Sequence, residues 1–177
     1  MKLHIGCGPK YLEGYKHMDA MEYPHVDYIG TADNLSVIAD ASLDEIYGSH
    51  ILEHIGRLEI ETVLKEWCRV LKPGGVIRLA VPDFGAVVAH YNEHQNLDKV
   101  MGLLYGGQTY EFNFHYQAYD LPRLTRLLTD AGFENVTHYD WQTFLPEDYD
   151  DFSKAYLPHM DFENGRLMSL NVTGTKR

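Results

Sequence analysis

Hydrophobic positions come in brief extended runs at the start of the chain and at helical spacing further on. Residues 2–6 (KLHIG), 16–20 (KHMDA) and 26–30 (VDYIG) read as short strands, and 44–50 (DEIYGSH) as a fourth that ends at a small-residue corner. Ile60, Val63, Leu64, Trp67 and Leu71 then recur every three or four positions, which predicts an amphipathic helix of about three turns. The sequence LKPGG stops it, because Pro73 cannot continue a helix and the glycines permit a left-handed exit. VIRLAVPDF (76–84) follows as a buried strand.

Residues 85–106 are helical in pattern with an interruption near Gln95 and Asn96, and the glycine- and aromatic-rich 106–120 fits neither period. Asp120 as a cap, Pro122 in the first turn and Gly132 at the end mark a helix between them. Residues 135–142 and 168–176 are the expected final strands, and the acidic 146–165 is expected to be a surface loop or edge insertion. Strands alternating with helices, closed by two strands without an evident helix between, predict a doubly wound, mostly parallel Rossmann-like α/β sheet. Helices should lie on both faces, with the last strand antiparallel. Residues 1–177 are expected to form one domain, with no repeat or linker dividing them.

Charge narrows the partners. A formal net charge of −11 with 15 Lys and Arg spread along the chain argues against a nucleic-acid phosphate track. Small or cationic partners fit better. Cys7 and Cys68 are two unspaced thiols, which suggests a reducing compartment, and neither a signal sequence nor a membrane-spanning run is evident. A cytoplasmic protein without membrane or nucleic-acid contacts is expected.

The chemistry starts at LHIGCGPKYLEGYKHMDA. A dinucleotide loop needs a third glycine opening a helix, whose free N–H groups hold the pyrophosphate, and an acidic residue about 20 positions on. Here the pattern is G-C-G-P-K-Y, Pro9 removes one N–H, and Asp19 arrives after ten intervening residues. A phosphate-free, positively charged ligand with a ribose would not miss the helix, yet could still use the glycines and Asp19. S-adenosylmethionine is such a ligand.

In order and spacing, LHIGCGPKYLEGYKHMD, ADNLS followed by SLDEIYGSHILEHI, and VLKPGGVIRLAVPDF resemble the class I, Rossmann-like S-adenosylmethionine-dependent methyltransferases. The closest likeness is to a small bacterial-type branch with a shortened first crossover. A weaker echo continues through FHYQAYDLPRLTRLLTDAGFENV. The resemblance implies that Gly6, Cys7 and Gly8 pass the methionine moiety along their backbone. It further implies that Asp19 binds the ribose, that Asp33, Asn34 and Leu35 hold the adenine, and that Ser49 and His50 line the methyl-transfer face. Members of the family commonly carry helices before the first strand that cover the cofactor, and only Met1 stands there in this sequence. A cover would come from residues 106–119 or from a second subunit in a homodimer.

His115, in FNFHYQAYD, is the second candidate proton acceptor beside His50. The alternative is a packed histidine among Phe112, Phe114 and Tyr116. HILEH (50–54) also has the H-x-x-E-H form of the inverted zincins, which requires one helix through both histidines. A strand ending at His50 speaks against this, so no metal site is expected, and Glu53 and His54 read as stabilising a helix start. Methyl transfer to an oxygen or nitrogen of a small molecule or glycan is the main expectation. A non-catalytic S-adenosylmethionine-binding protein is the alternative, with a zinc peptidase behind it.

Overall fold

In the computed structural model, which describes residues 1–177, the strands of the first half are short and parallel. They are β1 (Lys2–Ile5), β2 (Lys16–Asp19), β3 (Tyr28–Ile29) and β4 (Leu43–Ser49). Helix α1 (Ile60–Val70) leads into β5 (Leu71–Pro82), followed by α2 (Phe84–His94), the short α3 (Met101–Tyr105) and α4 (Leu121–Asp130). Then come β6 (Phe133–His138), a helical turn α5 (Trp141–Phe144), the small hairpin β7 (Tyr156–Leu157) and β8 (Arg166–Leu167), and β9 (Ser169–Lys176). Seven strands form one sheet in the order β3-β2-β1-β4-β5-β9-β6. Strand β9 runs antiparallel to both its neighbours, as expected of the last strand, while β1 to β5 pair in parallel.

Register separates two kinds of face. Leu3, Ile5, Met18, Ile46, Ile77, Leu79 and Val172 point to one side and join α1 and α4 in the main apolar core. Ile60, Val63, Leu64 and Trp67 are buried there at helical spacing, and Trp67 donates its indole N–H to the Ala32 carbonyl at 2.7 Å. Asp120 caps α4 by accepting from Arg123 N–H at 2.8 Å.

The alternating positions bring His4, His17, Tyr47 and Arg78 side by side on the opposite face. A crossover helix between β1 and β2 would be the usual cover, but residues 7–15 form only turns, with Lys10 N–H donating to the Cys7 carbonyl and Tyr15 N–H to that of Leu12. The face is covered by the chain's acidic C-terminal third. Leu12 packs with Tyr47, Leu145 and Tyr149, Tyr47 hydrogen-bonds Asp151, and the Arg78 guanidinium sits 4.4 Å from the Phe144 ring centroid. Residues 146–165 form the expected surface insertion, most of them exposed or half-buried. Ser153 and Lys154 are buried, and the sheet face without a helix supplies the surface that orders them.

Other boundaries shift for local reasons. Residues 72–75 bulge within β5, since Leu43 pairs with Leu71 but Glu45 with Val76. Gln95 adopts φ +52 and ends α2 at the predicted interruption. The expected strand over 135–142 stops at His138, because Asp140 accepts from Gln142 N–H at 2.9 Å and starts α5.

His4 lies 2% exposed under Tyr47, His17 and Tyr149, and its Nδ1 has no partner. Burial, aided by His17 and His25, pulls its pKa from 6.5 to about 3. The unfolded chain then binds the extra proton, so this contribution is complete above pH 6.5 and is lost as pH falls from 6.5 towards 3. Each such imidazole steepens the fall by about 1.4 kcal/mol per pH unit. Urea denaturation between pH 7 and 5 is expected to show a shallower loss in His4→Phe than in the wild type, and identical slopes would contradict the assignment.

Candidate functional site

Strand order reverses between β1 and β4, and ligands of such sheets bind in the crevice outside the carboxyl ends at that point. Gly6 leaves β1 with φ +64, and a Cβ there would meet Ile51 at 2.6 Å, so only glycine fits. Gly8 has φ +54 and open space where its Cβ would be. The Gly6 and Cys7 N–H groups both donate to the Met18 carbonyl, at 2.8 and 3.3 Å, and Gly8 N–H donates to the Asp19 carboxylate at 2.7 Å. With its N–H groups held inside the protein, the turn has none to offer a phosphate.

Asp19 ends β2 and also accepts from Met21 N–H at 2.8 Å, so the carboxylate is fixed through both oxygens while each keeps a lone pair. Cys7 is buried, and burial together with Asp19 pushes its thiol up to about 12; only its backbone can take part. Asp33 and Asn34 are exposed on the turn after β3, where Asn34 accepts from Ser36 N–H at 3.1 Å. The Leu35 side chain is fully buried in the core and its carbonyl accepts from Arg69 at 3.1 Å, so its side chain is not on the crevice.

At the end of β4, Ser49 Oγ is buried without a partner, and His50 takes φ +51 while its N–H donates to the Ala80 carbonyl at 2.8 Å. A non-glycine residue held in this region marks a site where surrounding structure imposes the conformation. His50 Nε2 lies 3.2 Å from Ser169 Oγ and Nδ1 lies 3.3 Å from Glu53 Oε1. Only Leu52–His54 forms a turn of 3₁₀ helix, so no helix runs through both histidines of HILEH, and the inverted zincin geometry is absent.

Residues 106–119 dock on the loop after β4. Tyr116 N–H donates to the Glu53 carbonyl at 2.8 Å, Gln117 to that of Ile55 at 2.8 Å, and Tyr119 Oη to that of Leu52 at 3.1 Å. His115 turns inward with them, its Nδ1 2.9 Å from the Leu103 carbonyl, and burial lowers its pKa. Glu53, expected merely to stabilise a helix start, is instead fully buried beneath this segment; a lone acid within the apolar ILEHI was the available signal. Ser169 and Asn171 were also missed, since β9 reaches the site only through the sheet. Two cavities of about 270 and 360 Å³ lie at Phe84, Tyr119 and Arg123 and between α2 and the β7–β8 hairpin. Neither is lined by Gly8, Asp19 or His50. The crevice is an open groove whose donors and acceptors, and not its depth, identify it.

The sheet order, the glycine turn and an acid closing β2 define the class: this is the class I, Rossmann-like methyltransferase fold. Three solved structures share it over 99% of this chain. A possible histamine N-methyltransferase from Thermotoga maritima does so at 21% identity, 82% of its own chain and TM-score 0.60. An S-adenosylmethionine-dependent methyltransferase from Archaeoglobus fulgidus follows at 15%, 85% and 0.60. The 1,6-didemethyltoxoflavin-N1-methyltransferase of Burkholderia thailandensis, solved with its substrate and S-adenosylhomocysteine, does so at 18%, 70% and 0.60. No curated protein sequence matches the chain. Residues 7–79 match the family profile of a methyltransferase domain.

Replacing Asp19 by Asn keeps one acceptor for the backbone but removes the charge. S-adenosylmethionine binding measured by calorimetry is expected to weaken by about 10- to 100-fold, the worth of a charge-assisted hydrogen bond. Unchanged affinity would remove Asp19 from the site.

Proposed function

We propose that this protein transfers the methyl group of S-adenosylmethionine to an oxygen or nitrogen of a small molecule or glycan. The observation that carries the reading is the meeting of the glycine turn, the fixed Asp19 carboxylate and the Ser49–His50 corner at one sheet edge. When bound, S-adenosylmethionine supplies an electrophilic methyl carbon. Gly8 allows close approach of a chain, the turn carbonyls receive an ammonium, and Asp19 accepts from ribose hydroxyls. Asp33, Asn34 and the Leu35 backbone receive the adenine beside β3. What then remains is alignment and exclusion of water, which requires little acid–base help.

His50 is assigned the acceptor of the nucleophile's proton. Its Nδ1 lies 3.3 Å from Glu53 Oε1, so Nε2, 3.2 Å from Ser169 Oγ, is the nitrogen assigned to accept. His115 is assigned a positioning role, since its ring faces Glu53 and the Leu103 carbonyl. A net charge of −11 supports a small or cationic acceptor over nucleic acid. No helix is long and apolar enough to cross a membrane, and both cysteines are free; together they support a cytoplasmic setting.

Incubation with S-adenosylmethionine and a panel of hydroxyl- and amine-bearing small molecules and glycans is expected to release S-adenosylhomocysteine. His50→Asn, which tolerates the left-handed backbone, should lower turnover by about 10²-fold with cofactor affinity nearly unchanged. Cofactor binding without product across the panel would favour a non-catalytic binding protein instead.

A further inference from the structure

Behind the methyl-transfer face, Glu53 is fully buried and neither carboxylate oxygen has an aligned hydrogen-bond donor. His50 Nδ1 lies 3.3 Å from Oε1 without an aligned hydrogen bond, and a carboxylate in the interior is costly enough that a cationic partner belongs beside it. One ring nitrogen each of His54 and His115 and a Glu53 oxygen lie within 4.8 Å of one another. His54 Nδ1 meets the Phe114 carbonyl at 3.0 Å and His115 Nδ1 the Leu103 carbonyl at 2.9 Å. A carbonyl only accepts, so each Nδ1 carries its ring's proton and a neutral imidazole keeps a lone pair at Nε2. His115 Nε2 stands 3.9 Å from Glu53 Oε1, lone pair towards carboxylate, an arrangement that repels unless a cation lies between. Imidazoles whose second nitrogen is anchored on a carbonyl are also the usual form of metal-binding histidines.

We propose that Glu53, His54 and His115 bind one divalent transition-metal ion of the zinc class, which fastens residues 106–119 to the loop after β4. Two nitrogens and one carboxylate oxygen suit such an ion. Ligand bonds of about 2.0–2.2 Å place donor atoms about 3.3 Å apart on a tetrahedral centre, so the three side chains draw together on binding and leave a fourth position for water. His54, half-buried, opens the site to solvent. His50 stays outside the set, beside Oε1. This is a different constellation from the H-x-x-E-H one, because the glutamate is a ligand and one histidine, His115, lies 61 positions after His54. Its role is to hold the docked segment in place.

The full chain, stripped with a chelator, is titrated with Zn²⁺ by calorimetry and with Co²⁺ by visible absorption. One ion per chain is expected, together with a zinc-dependent rise in melting temperature. His54→Ala and Glu53→Gln should weaken binding by more than the roughly 10- to 100-fold that loss of an outer-sphere group costs. Because Glu53 is in the core, His54→Ala decides if Glu53→Gln does not fold. A His90→Ala/His94→Ala double variant removes another close imidazole pair, whose rings lie 4.3 Å apart on α2, and should bind as the wild type does. No stoichiometric binding, or binding that survives His54→Ala and disappears in the double variant, would overturn the proposal. Neither readout depends on methyl transfer, so failure here leaves the methyltransferase reading standing.

Discussion

The Gly8 N–H donated to the Asp19 carboxylate joins the turn after β1 to the end of β2 across 2.7 Å, and much of the molecule follows from it. Ten residues between these two positions are too few for a parallel crossover with a full helix. The chain therefore bridges neighbouring parallel strands with turns, and the carboxylate at the end of β2 fixes the last free N–H of the glycine turn. One bond thus sets the conformation of the turn, the orientation of the acid and the electrostatic character of the crevice. The edge then carries a fixed carboxylate and no free turn N–H, which disfavours a phosphate.

The same shortness leaves one sheet face without its helix. That face carries His4, His17, Tyr47 and Arg78 where the opposite face carries aliphatic side chains. Polar and aromatic side chains ask for hydrogen-bonding and ring-edge partners, and the C-terminal third supplies them. Asp151 meets Tyr47, the Arg78 guanidinium lies beside the Phe144 and Tyr139 rings, and Arg78 in turn pairs with Glu45 at 2.9 Å. The acidic residues of this segment are therefore partly structural. Placing them against a sheet edge also puts Ser153 and Asn171 beside the site, with Asn171 donating to the Ser153 carbonyl at 2.7 Å.

The third constraint is the docking of residues 106–119. They lack a period of their own and fold by borrowing carbonyls from Leu52, Glu53 and Ile55. Backbone acceptors of an irregular loop are thereby satisfied by an irregular segment, and neither would be ordered alone. Glu53 beneath them is the polar group this arrangement leaves without an aligned donor, with three imidazoles around it. His50 connects this buried cluster to the crevice, so position at the reacting edge and packing of the segment are coupled through one side chain.

The sequence by itself determined the elements whose signals are local. Helix α1 came from the spacing of Ile60, Val63, Leu64 and Trp67, α4 from its Asp120 cap and Pro122, and the end of α2 from the break at Gln95. Gly6, Gly8 and Asp19 were legible because a turn next to a short strand restricts both residue type and distance. Tertiary structure alone decided what depends on residues far apart in the chain. The burial of Tyr149, Ser153 and Lys154, the inward turn of His115, the loss of the Leu35 side chain to the core and the isolation of Glu53 each arise from partners brought in by sheet order and docking. Periodicity reports which face a residue occupies within its own element, but it carries no information about which distant segment will cover that face.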